Sequence, residues 1–145
     1  INLIWQTGIH YESKASQLIS NINVEEFNTF GFIKQMDKAY AVADIIISRS
    51  GAIAISELCC VGKPIILVPS PNVSEDHQYK NAQSLVNKNA AIVVEDKDAN
   101  RKLVDILEKL IKDDDLKRSL SSNITNMAIT DSADRIANIA LNLVK

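Results

Sequence analysis

The sequence predicts an α/β protein built on a doubly wound parallel sheet. Five short runs rich in Ile, Val, Phe and Trp alternate with segments of helical periodicity. Two of the runs, residues 44–48 (DIIIS) and 64–68 (PIILV), are almost continuously apolar, as strands covered on both faces are. A strand followed by a helix and then another strand needs a crossover, and crossovers pair strands in parallel.

The elements follow in order. Residues 2–6 (NLIWQ) form a first strand that ends at Thr7-Gly8, and a polar-apolar pattern from His10 to Ile22 reads as a helix. Residues 26–31 (EFNTFG) give a second strand and Lys34 to Val42 a second helix. After the 44–48 strand, a helix opens at Ser50-Gly51 and runs to Val61, where Gly62-Lys63-Pro64 stops it. The 64–68 strand leads into a proline-punctuated loop, residues 69–74, and then a helix over 76–87 with Ser74, Glu75 and Asp76 at its start. Residues 91–94 give the fifth strand, and the remainder reads as two or three helices, including 102–112 and 131–144.

At 145 residues the chain fits one domain, 1–145, of a size that buries roughly 68–70% of its unfolded surface. It opens at Ile1, without a methionine and directly on a strand-like run, the pattern of a piece cut from a longer protein. Charged residues make up 23% and the formal net charge is −2, so no nucleic-acid or anionic-membrane footprint is present. There is no signal-peptide pattern and no apolar run near the ~18 residues that a span requires, and the chain reads as cytoplasmic. The two cysteines, Cys59 and Cys60, lie in an apolar helical pattern and read as small buried side chains.

In a parallel sheet every strand ends at the same edge, where ligands bind. The turns at Gly8, Gly31 to Ile33, Ser48 to Ala52, Pro69 to His77 and Glu95 to Asp98 are therefore expected on one rim. A helix beginning Ser50-Gly51-Ala52 directs unpaired N–H groups, and about half a positive charge, at whatever lies beyond it. Small residues there let a phosphate approach closely, although an ordinary serine cap with tight helix-sheet packing reads the same way. Glu57 shares a face with Ile53 and Ala54, one to two turns in, and its two acceptor oxygens suit the vicinal hydroxyls of a ribose; a half-exposed helix glutamate is the plain alternative. His77, Gln78 and Asn81 bring imidazole and amide groups onto one helical face, suited to sugar hydroxyls or simply to solvent. The acidic motifs Asp96-x-Asp98 and Asp113 to Asp115 are explained by a turn and a helix start, so no metal is implied. Residues 61–64 (VGKP) fail as a phosphate loop, because Pro64 stands where Ser or Thr is needed.

The segment SRSGAIAISELCCVGKPIILVPSPNVSEDHQYKNA (48–82), preceded by FGFIKQMDKAYAVADIII (30–47), closely resembles the MurG family of bacterial peptidoglycan transferases, and the match runs over essentially the whole chain. The resemblance implies a Rossmann-like doubly wound parallel sheet forming the C-terminal, donor-binding half of a GT-B glycosyltransferase. It implies transfer of GlcNAc from UDP-GlcNAc to the C4 hydroxyl of lipid I, with inversion, giving lipid II on the cytoplasmic face of the inner membrane. Phe32 and Ile33 would line the uracil pocket, the Ile33 backbone reading the base edge, with Met36 nearby. Ser50, Gly51, Ala52 and Ile53 would face the diphosphate, Glu57 the ribose, and Gln78 and Asn81 the GlcNAc, with His77 beside them. Ala54 stands where other members carry a threonine, and His77 where some have a second glutamine. The family's glycine-rich loop and its acceptor-binding N-terminal domain lie outside these 145 residues, so no catalytic residue is assigned within them.

Other readings remain open at this point. One is the donor-binding subunit of a split two-chain GlcNAc transferase. A UDP-GlcNAc 2-epimerase, also GT-B, would be expected to bring further acidic and histidine catalytic groups. A non-catalytic nucleotide-binding or scaffold module would use the fold for protein contacts alone.

Overall fold

The computed structural model describes residues 1–20, 26–73 and 76–144. Two compact units divide the chain, Ile1–Val42 and Ala43–Lys145, and each is described by itself.

The first unit is a β-α-β-α arrangement of β1 (Leu3–Gln6), α1 (Glu12–Ser20), β2 (Phe27–Phe30) and α2 (Met36–Val42). The two strands pair in parallel, Leu3 opposite Phe27 and Gln6 opposite Phe30. Gly8 makes the exit from β1 at φ +78°, a left-handed conformation that glycine adopts without strain. Ala15 is the buried anchor of α1. Where the α1 pattern was expected to reach Ile22, its end at residues 21–22 lies outside the described residues.

The second unit contains β3 (Ile46–Ser48), α3 (Ala52–Val61), β4 (Ile65–Leu67), α4 (His77–Val86), β5 (Ile92–Val93), α5 (Asp96–Lys112), α6 (Asp114–Thr125) and α7 (Ser132–Leu143). Its strands run parallel in the order β3-β4-β5. β4 is central, and Ile65, Ile66 and Leu67 are wholly inaccessible, as a run of branched apolar residues in a doubly covered strand should be. Ile66, Val68 and Val94 form the core with Leu110 of α5 and Leu120 of α6, and Leu103, Ile106 and Leu107 pack against it. The 3–4 spacing of these α5 positions is what points them together into the core.

Gly62 ends α3 at φ +69°, and its N–H donates to Leu58 O at 3.0 Å. A Cβ there would fall 2.5 Å from Thr125 Oγ1, and Ser121 Oγ donates to Gly62 O, so the end of α3 is locked onto α6.

The α/β class and the parallel pairing hold. The strands are nevertheless hydrogen-bonded as a pair and a triplet, each within its own unit, where one five-stranded ladder was expected. Four local expectations are corrected. β3 is an edge strand with Ile47 exposed, because only β4 pairs with it within the unit's sheet. α3 starts at Ala52, one residue past Gly51, because Ser50 is drawn inward by its hydrogen bonds. Cys60 is exposed while Cys59 is buried, since the two neighbours sit about 100° apart around the helix. α5 begins at Asp96 and not at Lys102, its polar first turn being held by Asp98, which pairs with both Arg101 and Lys102.

Candidate functional site

In the first unit, the loop leaving β2 carries Phe32 and Ile33 and leads to Met36 at the start of α2. Phe32 is 67% exposed, an unusual setting for a large apolar ring, while Ile33 and Met36 are half-buried. The Ile33 N–H donates to Gln6 Oε1 at 2.8 Å. Behind Phe32 the loop is held by Thr7, whose N–H and hydroxyl both donate to Phe30 O, at 2.9 and 3.2 Å.

In the second unit, the start of α3 is built from three elements. Ser50 is fully buried; its hydroxyl donates to Gln78 O at 2.8 Å, and its own carbonyl accepts from Asn81 Nδ2 at 3.1 Å. Gln78 Oε1 in turn accepts from Ser70 N–H at 2.9 Å, which ties the loop after β4 to α4. Ser50, Gln78 and Asn81 are thus brought together, but through one another. The donor Gln78 Nε2 and the acceptor Asn81 Oδ1 make no hydrogen bond among the described residues. His77 lies exposed at the first position of α4. It follows Asp76, at φ +53°; the expected helix starters Ser74 and Glu75 lie outside the described residues.

Gly51 is the N-cap of α3, and no side chain caps the helix start. A Cβ on Gly51 would meet nothing within 4 Å, so the space beside the N-cap is open. Ala52, Ile53 and Glu57 are all exposed, Ile53 to 78%, and the i, i+4 spacing of Ile53 and Glu57 sets them on one outward stripe. A carboxylate is accommodated in so apolar a helix because α3 buries only its other face, at Leu58 and Cys59. Burial raises the Cys59 thiol above its ordinary range, aided by Cys60 and opposed by Lys88.

Arg49 was not singled out by sequence reasoning. Its guanidinium donates to Val68 O at 3.1 Å and Pro69 O at 3.4 Å and pairs with the Asp96 carboxylate, so one side chain joins the ends of β3 and β4 to the start of α5. The available signal was a lone cation at a strand end, where the outgoing carbonyls of a parallel sheet gather. Gln6 was missed for a similar reason, as a polar residue closing an apolar strand. The two acidic motifs are engaged by cations of the chain itself. Asp98 is held below the usual carboxylate range by hydrogen bonds from Lys102 and then Arg101, and Asp114 by Lys117.

Residues 1–136 match the family described as glycosyltransferase family 28 C-terminal domain. The chain is 47% identical over 144 residues to the UDP-N-acetylglucosamine–N-acetylmuramyl-(pentapeptide) pyrophosphoryl-undecaprenol N-acetylglucosamine transferase of Parabacteroides distasonis, covering 99% of this chain and 39% of that protein. It is 44% identical over 146 residues to the protein of the same name from Bacteroides thetaiotaomicron, covering 100% and 39%. It therefore spans about two fifths of the length of these relatives. The crystal structure of Acinetobacter baumannii MurG superposes with a TM-score of 0.83 at 24% identity, over 96% of this chain and 40% of that one, which shows the shared fold. With the match covering nearly its whole length, the chain belongs to the glycosyltransferase family 28 C-terminal domain family.

Proposed function

We propose that this chain binds the UDP-GlcNAc donor of an inverting transferase that adds GlcNAc to lipid I and forms lipid II; its relatives are named as N-acetylglucosamine transferases for UDP-N-acetylglucosamine and N-acetylmuramyl-(pentapeptide) pyrophosphoryl-undecaprenol. The observation that carries the reading is the start of α3. Among the described residues no side chain caps it, a Cβ on its N-cap Gly51 would meet nothing within 4 Å, and the Glu57 side chain is exposed one to two turns further on. Such an end holds a diphosphate by N–H groups and helix dipole, without requiring a metal. Glu57 takes the ribose hydroxyls, and Gln78 Nε2 and Asn81 Oδ1 offer a donor and an acceptor to the sugar. In the first unit, Phe32, Ile33 and Met36 are the base-contacting residues that the family resemblance implies.

An inverting transfer needs a base for the acceptor proton and stabilisation of the departing UDP. These residues supply the second. The developing charge on the β-phosphate falls on amides already oriented before reaction, so little reorganisation accompanies bond breaking. The general base and the lipid acceptor belong to the remainder of the full-length protein, which acts at the cytoplasmic face of the membrane. Among the described residues no helix is long and apolar enough to cross it.

The test is calorimetric titration of the full-length protein with UDP-GlcNAc, with GDP-mannose as control. Saturable, uridine-selective binding is expected, weakened by about 1–3 kcal/mol in Glu57→Ala, the scale of hydrogen bonds to a charged group. Equal binding of the two nucleotides, or an unaltered Glu57→Ala, refutes the reading.

A further inference from the structure

The backbone amide assigned to the base is already engaged. Ile33 N–H donates to Gln6 Oε1 at 2.8 Å, and because an amide N–H can only donate, it is the oxygen of the Gln6 carboxamide that faces it. This bond is not what holds the loop. Thr7 already fastens Phe30 by its N–H, which donates to the Phe30 carbonyl at 2.9 Å, with its hydroxyl shared between that carbonyl and Gly8 O. Gly31 is buried, with the Glu12 carboxylate of α1 lying beside it. The Gln6 contact is solvent-exposed, where one hydrogen bond exchanges easily for another.

The chemistry of the group is informative. A primary carboxamide presents a carbonyl beside an N–H donor, and the imide edge of uracil presents the same pair in the same order. Cytosine offers an amino donor beside a bare ring nitrogen instead. We infer that Gln6 is a built-in surrogate for the base: its carboxamide occupies the Ile33 N–H, and a uridine nucleotide takes that N–H by displacing it. The inference rests on the donor-binding reading above and names the edge by which the base is read. One N–H cannot make two full hydrogen bonds, so side chain and base compete. A uracil carbonyl replaces the amide carbonyl like for like, whereas a cytosine amino group at that place would leave the N–H without an acceptor.

Competition and support predict opposite signs. In the full-length protein, Gln6→Met keeps the side-chain length and removes the carboxamide, and the Kd for UDP is expected to fall about two- to tenfold, the range set by one exposed hydrogen bond. A Kd that rises shows that Gln6 supports the loop, and one that stays put shows that it is uninvolved; either overturns the inference. Should Gln6→Met not fold, the wild-type protein labelled with 15N at glutamine and isoleucine decides. Saturating UDP should shift the Gln6 Nε2H2 resonances while the Ile33 amide stays hydrogen-bonded, and an unmoved Gln6 pair at saturation overturns the inference. Absence of UDP binding in wild type and variant alike would instead overturn the donor reading itself.

Discussion

Gly51→Ala separates access from folding. Gly51 has φ −63° and ψ 148°, a conformation open to any residue, and an added Cβ meets no atom within 4 Å. Neither strain nor clash opposes the change. Alanine lowers the entropy of the unfolded chain, a gain of about 0.4–1 kcal/mol. It is also a poorer N-cap than glycine, a loss of similar size. The two nearly cancel, so stability is expected to move by less than about 0.5 kcal/mol. The methyl nevertheless enters the open space beyond the helix end, where the diphosphate is proposed to sit. Pushing the anion off one charge-assisted N–H costs about 1.5–3 kcal/mol, or roughly 10- to 150-fold in Kd. Urea unfolding and calorimetric titration with UDP on the full-length protein measure the two quantities separately. Unchanged affinity, or a loss of affinity matched by a loss of stability, would refute the reasoning.

Two further outcomes are expected. Gly62→Ala places a side chain in a left-handed conformation, at about 1–2 kcal/mol, and its methyl also meets Thr125 Oγ1, so a destabilisation below 1 kcal/mol in urea unfolding would mean that the α3–α6 junction yields. Asp98 has a folded pKa below its unfolded value, so its stabilisation is present above about pH 4 and is lost as pH falls through the folded pKa. The Tm deficit of Asp98→Asn at neutral pH should therefore shrink as pH falls below about 4, and a deficit independent of pH would show that the ion pairs contribute nothing.

Much of the fold could be read because strand and helix signals agreed locally. The β-branched run at residues 64–68, bounded by Gly62 and Pro69, became the buried centre of its sheet. The Ser50-Gly51 dipeptide marked a helix start to within a residue. The failures occurred where local composition and tertiary pairing point in different directions. Residues 96–101 (DKDANR) look like a turn in sequence and become helix because Asp98 finds Arg101 and Lys102 one turn later. Gln78 and Asn81 were readable as polar groups on one face, but not as ties to Ser70 and Ser50, which lie 8 and 31 residues away. No periodicity encodes a side chain paired to a distant backbone group. Arg49 and Gln6 escaped notice for the same reason.

Those ties explain how a helix end without a capping side chain can be a stable device. A serine at the N-cap would satisfy one amide and obstruct the rest. Here the serine is displaced one residue back, buried, and used to bind α4 to the start of α3, while glycine takes the cap and leaves the amides accessible. The stabilisation that a cap would have given comes from the surroundings instead: Asn81 on the Ser50 carbonyl, Gln78 on the Ser70 amide, and Arg49 across the ends of β3 and β4 and the start of α5. The helix start is thus held by contacts made one residue back, at Ser50, and in the flanking loops, and dipoles oriented before reaction are what the proposed stabilisation of a departing diphosphate requires.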